Sequence, residues 1–121
     1  MSIEDRLADL GIDLPPVAKP VAAYVPAIQV GDQISTSGQL PLVSGSLPMT
    51  GLVGDQISQG DAAGQARVAA LNALAAAADV AGGVNNIRRV VRVVVYVAST
   101  ADFTAQPAVA NGASELFGEI F

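Results

Sequence analysis

Residues 87–97 read "IRRVVRVVVYV", and this stretch decides the fold. It is rich in valine, a β-branched residue that suits the pleated backbone of a strand. With a period of two, Arg88, Val90, Arg92, Val94 and Tyr96 share one face. Arg89, Val91, Val93, Val95 and Val97 share the other. From Val93 onward both faces are apolar, the pattern of a strand covered on both sides. One layer of helices can cover one side. The other side asks for a partner subunit.

Working outward, residues 58–81 before the strand predict a long helix. Ser58 can cap it, and Asp61 lies in its first turn, where negative charge suits the helix dipole. Its body is dense in alanine, the best helix former. Val68, Leu71, Ala75 and Ala78 fall on one stripe with Leu74 beside it, and Gly82-Gly83 ends the run. After the strand, Ala98 to Ala101 predicts a loop. Residues 102–121 then predict a helix with Val109, Leu116, Phe117 and Ile120 as its apolar contacts. At the other end, Ser2, Ile3, Leu7 and Leu10 predict a short capped helix stopped by Gly11. Pro15, Pro16 and Pro20 make a stiff connector. Val21 to Val30 predicts a strand, with Pro26 marking an edge or bulge. Gly31-Asp32 is a turn, and Gln33 to Ser37 completes a hairpin. The segment 43–54, "VSGSLPMTGLVG", predicts a second hairpin. The order closes on a helix after one lone strand, which predicts one further strand behind it as a pairing partner.

Composition narrows the function classes. The 121 residues suffice for one domain. They are 51% hydrophobic and only 14% charged, against a usual charged share of roughly 25%. A small domain has little interior for that surplus, so an oligomer is expected. The net charge is −5, and three of the six basic residues sit in the 87–97 run. No basic stripe suits a phosphate backbone, so nucleic acid is not expected as a partner. With no Cys and no His, disulfides, the usual zinc sites and thiol or imidazole catalysis are all excluded. No metal site is expected. The start, Met1 to Leu14, is acidic and mixed rather than a secretory leader. No segment carries 18 uncharged apolar residues, so no membrane span and a cytoplasmic location are expected.

Few residues offer chemistry. Residues 35–41, "STSGQLP", place Ser37, Gly38 and Gln39 at a strand end. They read either as a turn or as a pocket wall where Gly38 lets a ligand approach bare backbone. Tyr24 is either a rim aromatic or a phenol aimed into a cleft. Asn72, on the alanine-rich helix, reads as a buried hydrogen-bonding peg. Asn111 reads either as a helix-start residue or as an amide that contacts a ligand. Arg88 and Arg92 read as the solvated end of the valine strand. Asp79 and Glu119 are too weakly placed to argue for an acid–base pair. Physics alone gives an oligomeric α+β domain with an apolar pocket.

Taken in order, these pieces resemble the Rid family of reactive-intermediate deaminases, also called the YjgF type and once described as endoribonuclease L-PSP. Tyr24 ahead of "TSGQLP", the "QAR" at 65–67 followed by Asn72, "VVRVVVYV" followed by Asp102-Phe103, and Asn111 ahead of Phe117 carry the resemblance over roughly residues 20–121. It implies a chorismate-mutase-like α+β fold: a mixed sheet, two main helices on one face, and a homotrimer around a central barrel. It also implies hydrolysis of 2-imino acids to 2-keto acids and ammonia at clefts between subunits, without a cofactor. Tyr24, Ser37, Gly38, Gln39 and Asn111 would then line the pocket for a small carboxylate-bearing metabolite. The arginine and glutamate that serve the reaction, and the last strand, would lie beyond Phe121. A longer 43–54 hairpin and the helix in residues 1–14 mark a divergent subgroup. A non-catalytic keto-acid binder on the same trimer is the alternative, and a ribonuclease is a weaker one. Residues 1–121 are expected to form a single domain.

Overall fold

Local signals at the chain's start act as read. In the computed structural model, which describes residues 1–121, helix α1 spans Ile3–Asp9. The Ser2 hydroxyl accepts the Asp5 N–H at 3.0 Å, and the Asp5 carboxylate accepts the Ser2 N–H at 3.3 Å. This reciprocal box satisfies two otherwise orphaned donors. The loop after the helix C-terminus turns at Gly11, whose φ of 68° suits glycine.

The first sheet is smaller than the sequence pattern suggests. Strand β1 is Ala27–Val30 and strand β2 is Gln33–Thr36, paired antiparallel with Ala27 opposite Thr36. Residues 21–24, expected as the start of β1, bend instead. Two prolines, Pro20 and Pro26, cannot donate to a ladder, and the Tyr24 hydroxyl accepts the Val21 N–H at 3.4 Å across the bend. The 43–54 segment forms no second hairpin. Its one internal bridge, Val43 to Ser46, closes a turn with positive φ at Ser44 and Gly45. Val53 then reaches across the molecule. Its N–H donates to Ala98 at 2.9 Å, and its carbonyl accepts from Thr100 at 3.0 Å.

Helix α2 spans Gln59–Ala81, capped by the Ser58 hydroxyl on the Asp61 N–H at 3.1 Å. It ends at Gly82, which adopts the left-handed conformation with φ of 80°. A short 3₁₀ turn over Val84–Asn86 leads into the valine stretch. Helix α3 spans Gln106–Ile120, beginning four residues later than expected because Pro107 fits the first helical turn.

The two long helices pack on each other and α2 also packs on β1 and β2. Two core clusters result. One gathers Leu7, Ala70, Leu74, Ala78, Val84, Ala113, Leu116 and Ile120. The other gathers Val53, Ile57, Ala62, Ala66 and Val109. The helix pair is close because the contact is made of small residues. A Cβ on Gly112 would collide with the backbone of Ala63.

The valine stretch corrects the sequence reading in one respect. Residues 88–97 run without bend or turn, and Val95 and Val97 pack on the two cores. Yet none of them makes a backbone hydrogen bond, so the hydrogen-bonded sheet is the two-stranded β1–β2 pair rather than a mixed sheet. The period-two pattern marks a strand; a ladder also needs a neighbour, and residues 1–121 place none beside it. Val91 is 75% exposed and Tyr96 is 93% exposed. The accessible surface is 7552 Å², whereas a monomer of this mass is expected to show roughly 6,100 Å². No helix is long and apolar enough to cross a membrane.

Candidate functional site

The cleft is built where β2 runs out. Ser37 is tied to the residue before β1: its N–H donates to the Pro26 carbonyl at 2.8 Å and its hydroxyl donates to the same oxygen at 3.3 Å. The Gln39 side-chain amide in turn donates to the Ser37 hydroxyl at 3.3 Å. These bonds hold the Ser-Gly-Gln turn open rather than folded on itself. Neither the Gly38 nor the Gln39 backbone N–H has a partner in the chain. A Cβ at Gly38 would meet nothing within 4 Å. Gly38 therefore keeps a bare, unobstructed stretch of backbone facing outward, where an acceptor group on a ligand can reach two N–H donors.

The far side of the turn is fixed by α2. Asn72 is 2% exposed, and its side-chain amide donates to the carbonyls of Leu40 and Leu42, both at 3.0 Å. It is the buried peg that the sequence suggested. Its two bonds clamp the loop that continues from Gln39 onto the long helix.

Tyr24, Ser37, Gly38 and Gln39 line one cleft, together with Lys19, Pro20, Val21, Pro26, Leu40 and Leu42. The sequence reading missed Lys19. A lysine in a proline-rich connector looks like a solubilising residue, and only the bend at 21–24 folds it back beside Ser37. Lys19 is the one charged group in the lining, and no Asp, Glu or His joins it. The electrostatics favour an anion, and the wall holds donors without a general base. The enclosed volume is about 10 Å³, room for roughly one water. In a single chain this is a wall rather than a pocket.

Asn111 does not join these four. It lies exposed in the second turn of α3, and since α3 starts at Gln106, it is no helix-start residue. Arg88, Arg89 and Arg92 are also exposed and absent from the cleft. No group of three or more His, Cys, Asp or Glu is placed to hold a metal.

Comparison with known proteins shows the family and the fold. Residues 4–121 match the family model described as "YjgF/chorismate_mutase-like, putative endoribonuclease". Protein TCP17 of Trypanosoma cruzi is 37% identical over 116 residues, covering 96% of this chain and 72% of that protein. The crystal structure of a "putative endoribonuclease" from Shewanella oneidensis superposes with a TM-score of 0.90 at 33% identity, over 100% of this chain and 80% of that one. A protein of unknown function from Agrobacterium tumefaciens, Atu1372, superposes with a TM-score of 0.79 at 36% identity, over 98% of this chain and 73% of that one. With a family match over nearly its whole length and relatives that share its fold, this chain belongs to the YjgF/chorismate mutase-like family.

Proposed function

We propose that the cleft is one wall of a site between subunits, where small 2-imino acids are hydrolysed to 2-keto acids and ammonia. The observation that carries this reading is the pairing of a lone cation, Lys19, with the free N–H groups of Gly38 and Gln39 in a lining that holds no acid. A substrate carboxylate suits Lys19, and an oxygen developing at the reacting carbon suits paired backbone donors. In the reaction water adds to the C=N carbon, a proton passes to nitrogen, and the C–N bond breaks to release ammonia and leave the carbonyl. Ser37 and Tyr24 supply hydroxyls near that centre. The proton transfers need a group that this wall lacks, and a second subunit is the proposed source. The proposal includes homotrimeric assembly, a cytoplasmic setting and a single domain over residues 1–121. The surplus surface and the exposed outer face of the valine stretch support assembly.

The test combines turnover with binding. Purified protein added to 2-aminoacrylate generated in situ is expected to accelerate pyruvate formation clearly over buffer, and light scattering is expected to give three chains per particle. The absence of an acid or base in the lining favours a second reading, a keto-acid binder without turnover. Calorimetric binding of pyruvate with no acceleration would select it. Neither turnover nor binding would overturn both. The ribonuclease named for family relatives fits less well, since a cleft with one lysine and no imidazole is poorly equipped for RNA.

Lys19→Gln is expected to weaken pyruvate binding roughly tenfold, the effect of losing a charge-assisted hydrogen bond at a partly exposed site. Lys19 is exposed, so the melting temperature should not move. An unchanged dissociation constant would remove Lys19 from the site.

A further inference from the structure

We propose that Asn111–Gly112 is a latent deamidation site: the folded helix α3 holds it shut, and once α3 opens the reaction locks the chain out of its native state.

The first observation is the pair itself. The chain has four asparagines, and only Asn111 is followed by glycine; no aspartate is. Glycine has no Cβ to shield its backbone nitrogen, so that nitrogen can approach the preceding side chain. The other asparagine side chains are engaged. Asn72 donates to Leu40 and Leu42, Asn86 donates to Ala81, and Asn85 accepts from the Glu4 N–H. Asn111 is exposed, and none of these bonds reaches it.

The second observation is what the helix does to the chemistry. Deamidation needs the Gly112 nitrogen to give up its proton and attack the Asn111 Cγ. The N–Cγ bond of a cyclic succinimide forms, the Cγ–Nδ2 bond breaks, and ammonia leaves with the displaced proton. Water then opens the ring at either carbonyl, giving aspartate or isoaspartate. Gly112 lies inside α3, so its N–H is committed to the Ala108 carbonyl one turn back. Helical dihedrals also hold the nitrogen away from the Asn111 side chain.

The third observation is where the helix is weak and what it carries. α1 and α2 begin at serine caps, whereas α3 begins at Ala105 with no side-chain cap and no acid in its first turn. Asn111 is one turn further in, held by Val109 and Ala113, each 3% exposed. Packing fixes the reactive partner, since any Cβ at Gly112 would strike the Ala63 backbone. Isoaspartate routes the main chain through the side-chain carbon and lengthens it between 111 and 112. The helical register after that point slips. Gly112 then misses Ala63, and Leu116 and Ile120 lose their places in the first core cluster. A modified chain cannot rebuild the α2–α3 contact, so unfolding becomes one-way.

The test incubates the protein at mildly alkaline pH, folded in buffer and unfolded in guanidinium, and reads isoaspartate at position 111 by peptide mapping. The unfolded chain is expected to react at least about tenfold faster, because the folded rate follows the small population in which α3 is open. After the denaturant is removed, size exclusion separates native from non-native chains. Isoaspartate should be enriched in the non-native fraction. Asn111→Gln, whose longer side chain closes the ring poorly, should recover the same native fraction however long it stays unfolded. The mapping uses the unaltered chain, so it decides even where the variant folds poorly. No isoaspartate at 111 in the unfolded chain, equal rates in the two conditions, or modified chains that refold as fully as unmodified ones would overturn the proposal.

Discussion

Gly112→Val is expected to cost about 3 kcal/mol or more and to lower the melting temperature by roughly 10–20 °C. The position is in the middle of α3, where a Cβ would strike the Ala63 backbone of α2. A flexible side chain could swing aside; a helix backbone can retreat only by moving the whole helix. That would pull Val109, Ala113 and Leu116 away from the alanine face of α2, opening both core clusters at once. Few residues stand in reserve, because only 17 of 121 are buried, and total stability of such a domain is about 5–15 kcal/mol. Gly118 on the same helix is the internal control. A Cβ there meets nothing within 4 Å, so Gly118→Ala should stabilise by about 0.5–1 kcal/mol through helix propensity and a stiffer unfolded chain. Thermal unfolding followed by circular dichroism checks both. Equal effects at the two glycines would show that the helices are not in contact at Ala63.

Asn72→Asp is the second large effect. The native amide presents two donors to two carbonyl oxygens at 3.0 Å in a site that is 2% exposed. A carboxylate there would face both oxygens with negative charge and no donor, a loss of about 3 kcal/mol or more near neutral pH. A protonated acid can still donate to one carbonyl, so the introduced carboxyl would have its pKa raised above the ordinary aspartate value. The sign follows from linkage. A carboxyl raised in the folded state contributes its full share of stability below its unfolded pKa and loses it as pH climbs through the folded one. The variant should therefore close part of its deficit against the parent as pH falls from 7 toward 4. Chemical denaturation at the two pH values checks this. Asn72→Leu, which has no proton to gain, should show a deficit that does not depend on pH in this way. Both variants should also weaken pyruvate binding, because the clamped loop carries Leu40 and Leu42 into the cleft lining.

The parts of this molecule that were readable in sequence are those fixed by neighbours along the chain. Ser2 with Asp5, Ser58 with Asp61, and the paired glycines after Ala81 set helix ends through bonds between residues only a few positions apart. Asn72 was readable because an amide on a face of alanines must find partners indoors. The Val21–Val30 strand is shorter in the structure, Ala27–Val30, because Pro26, read in sequence as an edge or bulge, stops the ladder instead. Residues 88–97 have the composition of a strand, but pairing belongs to two segments, and one segment's pattern cannot supply the second. The cleft divides the same way. Tyr24, Ser37, Gly38 and Gln39 are grouped in sequence by the family resemblance alone, and the structure brings them together because the β1–β2 hairpin returns both strand ends to one place. Lys19 reaches them only through a bend that no local signal announces, and Asn111 is carried away from them by a helix that starts earlier in the chain than an asparagine cap would require.

The surplus surface has a thermodynamic consequence. If roughly 1,500 Å² more than a monomer normally exposes is covered only when another polypeptide arrives, folding and association become one equilibrium. Mass action then enters stability directly: dilution would loosen the native state, and the melting temperature would climb with protein concentration. A single free energy of unfolding would not describe such a chain, and measurements made at different concentrations would disagree for a physical reason.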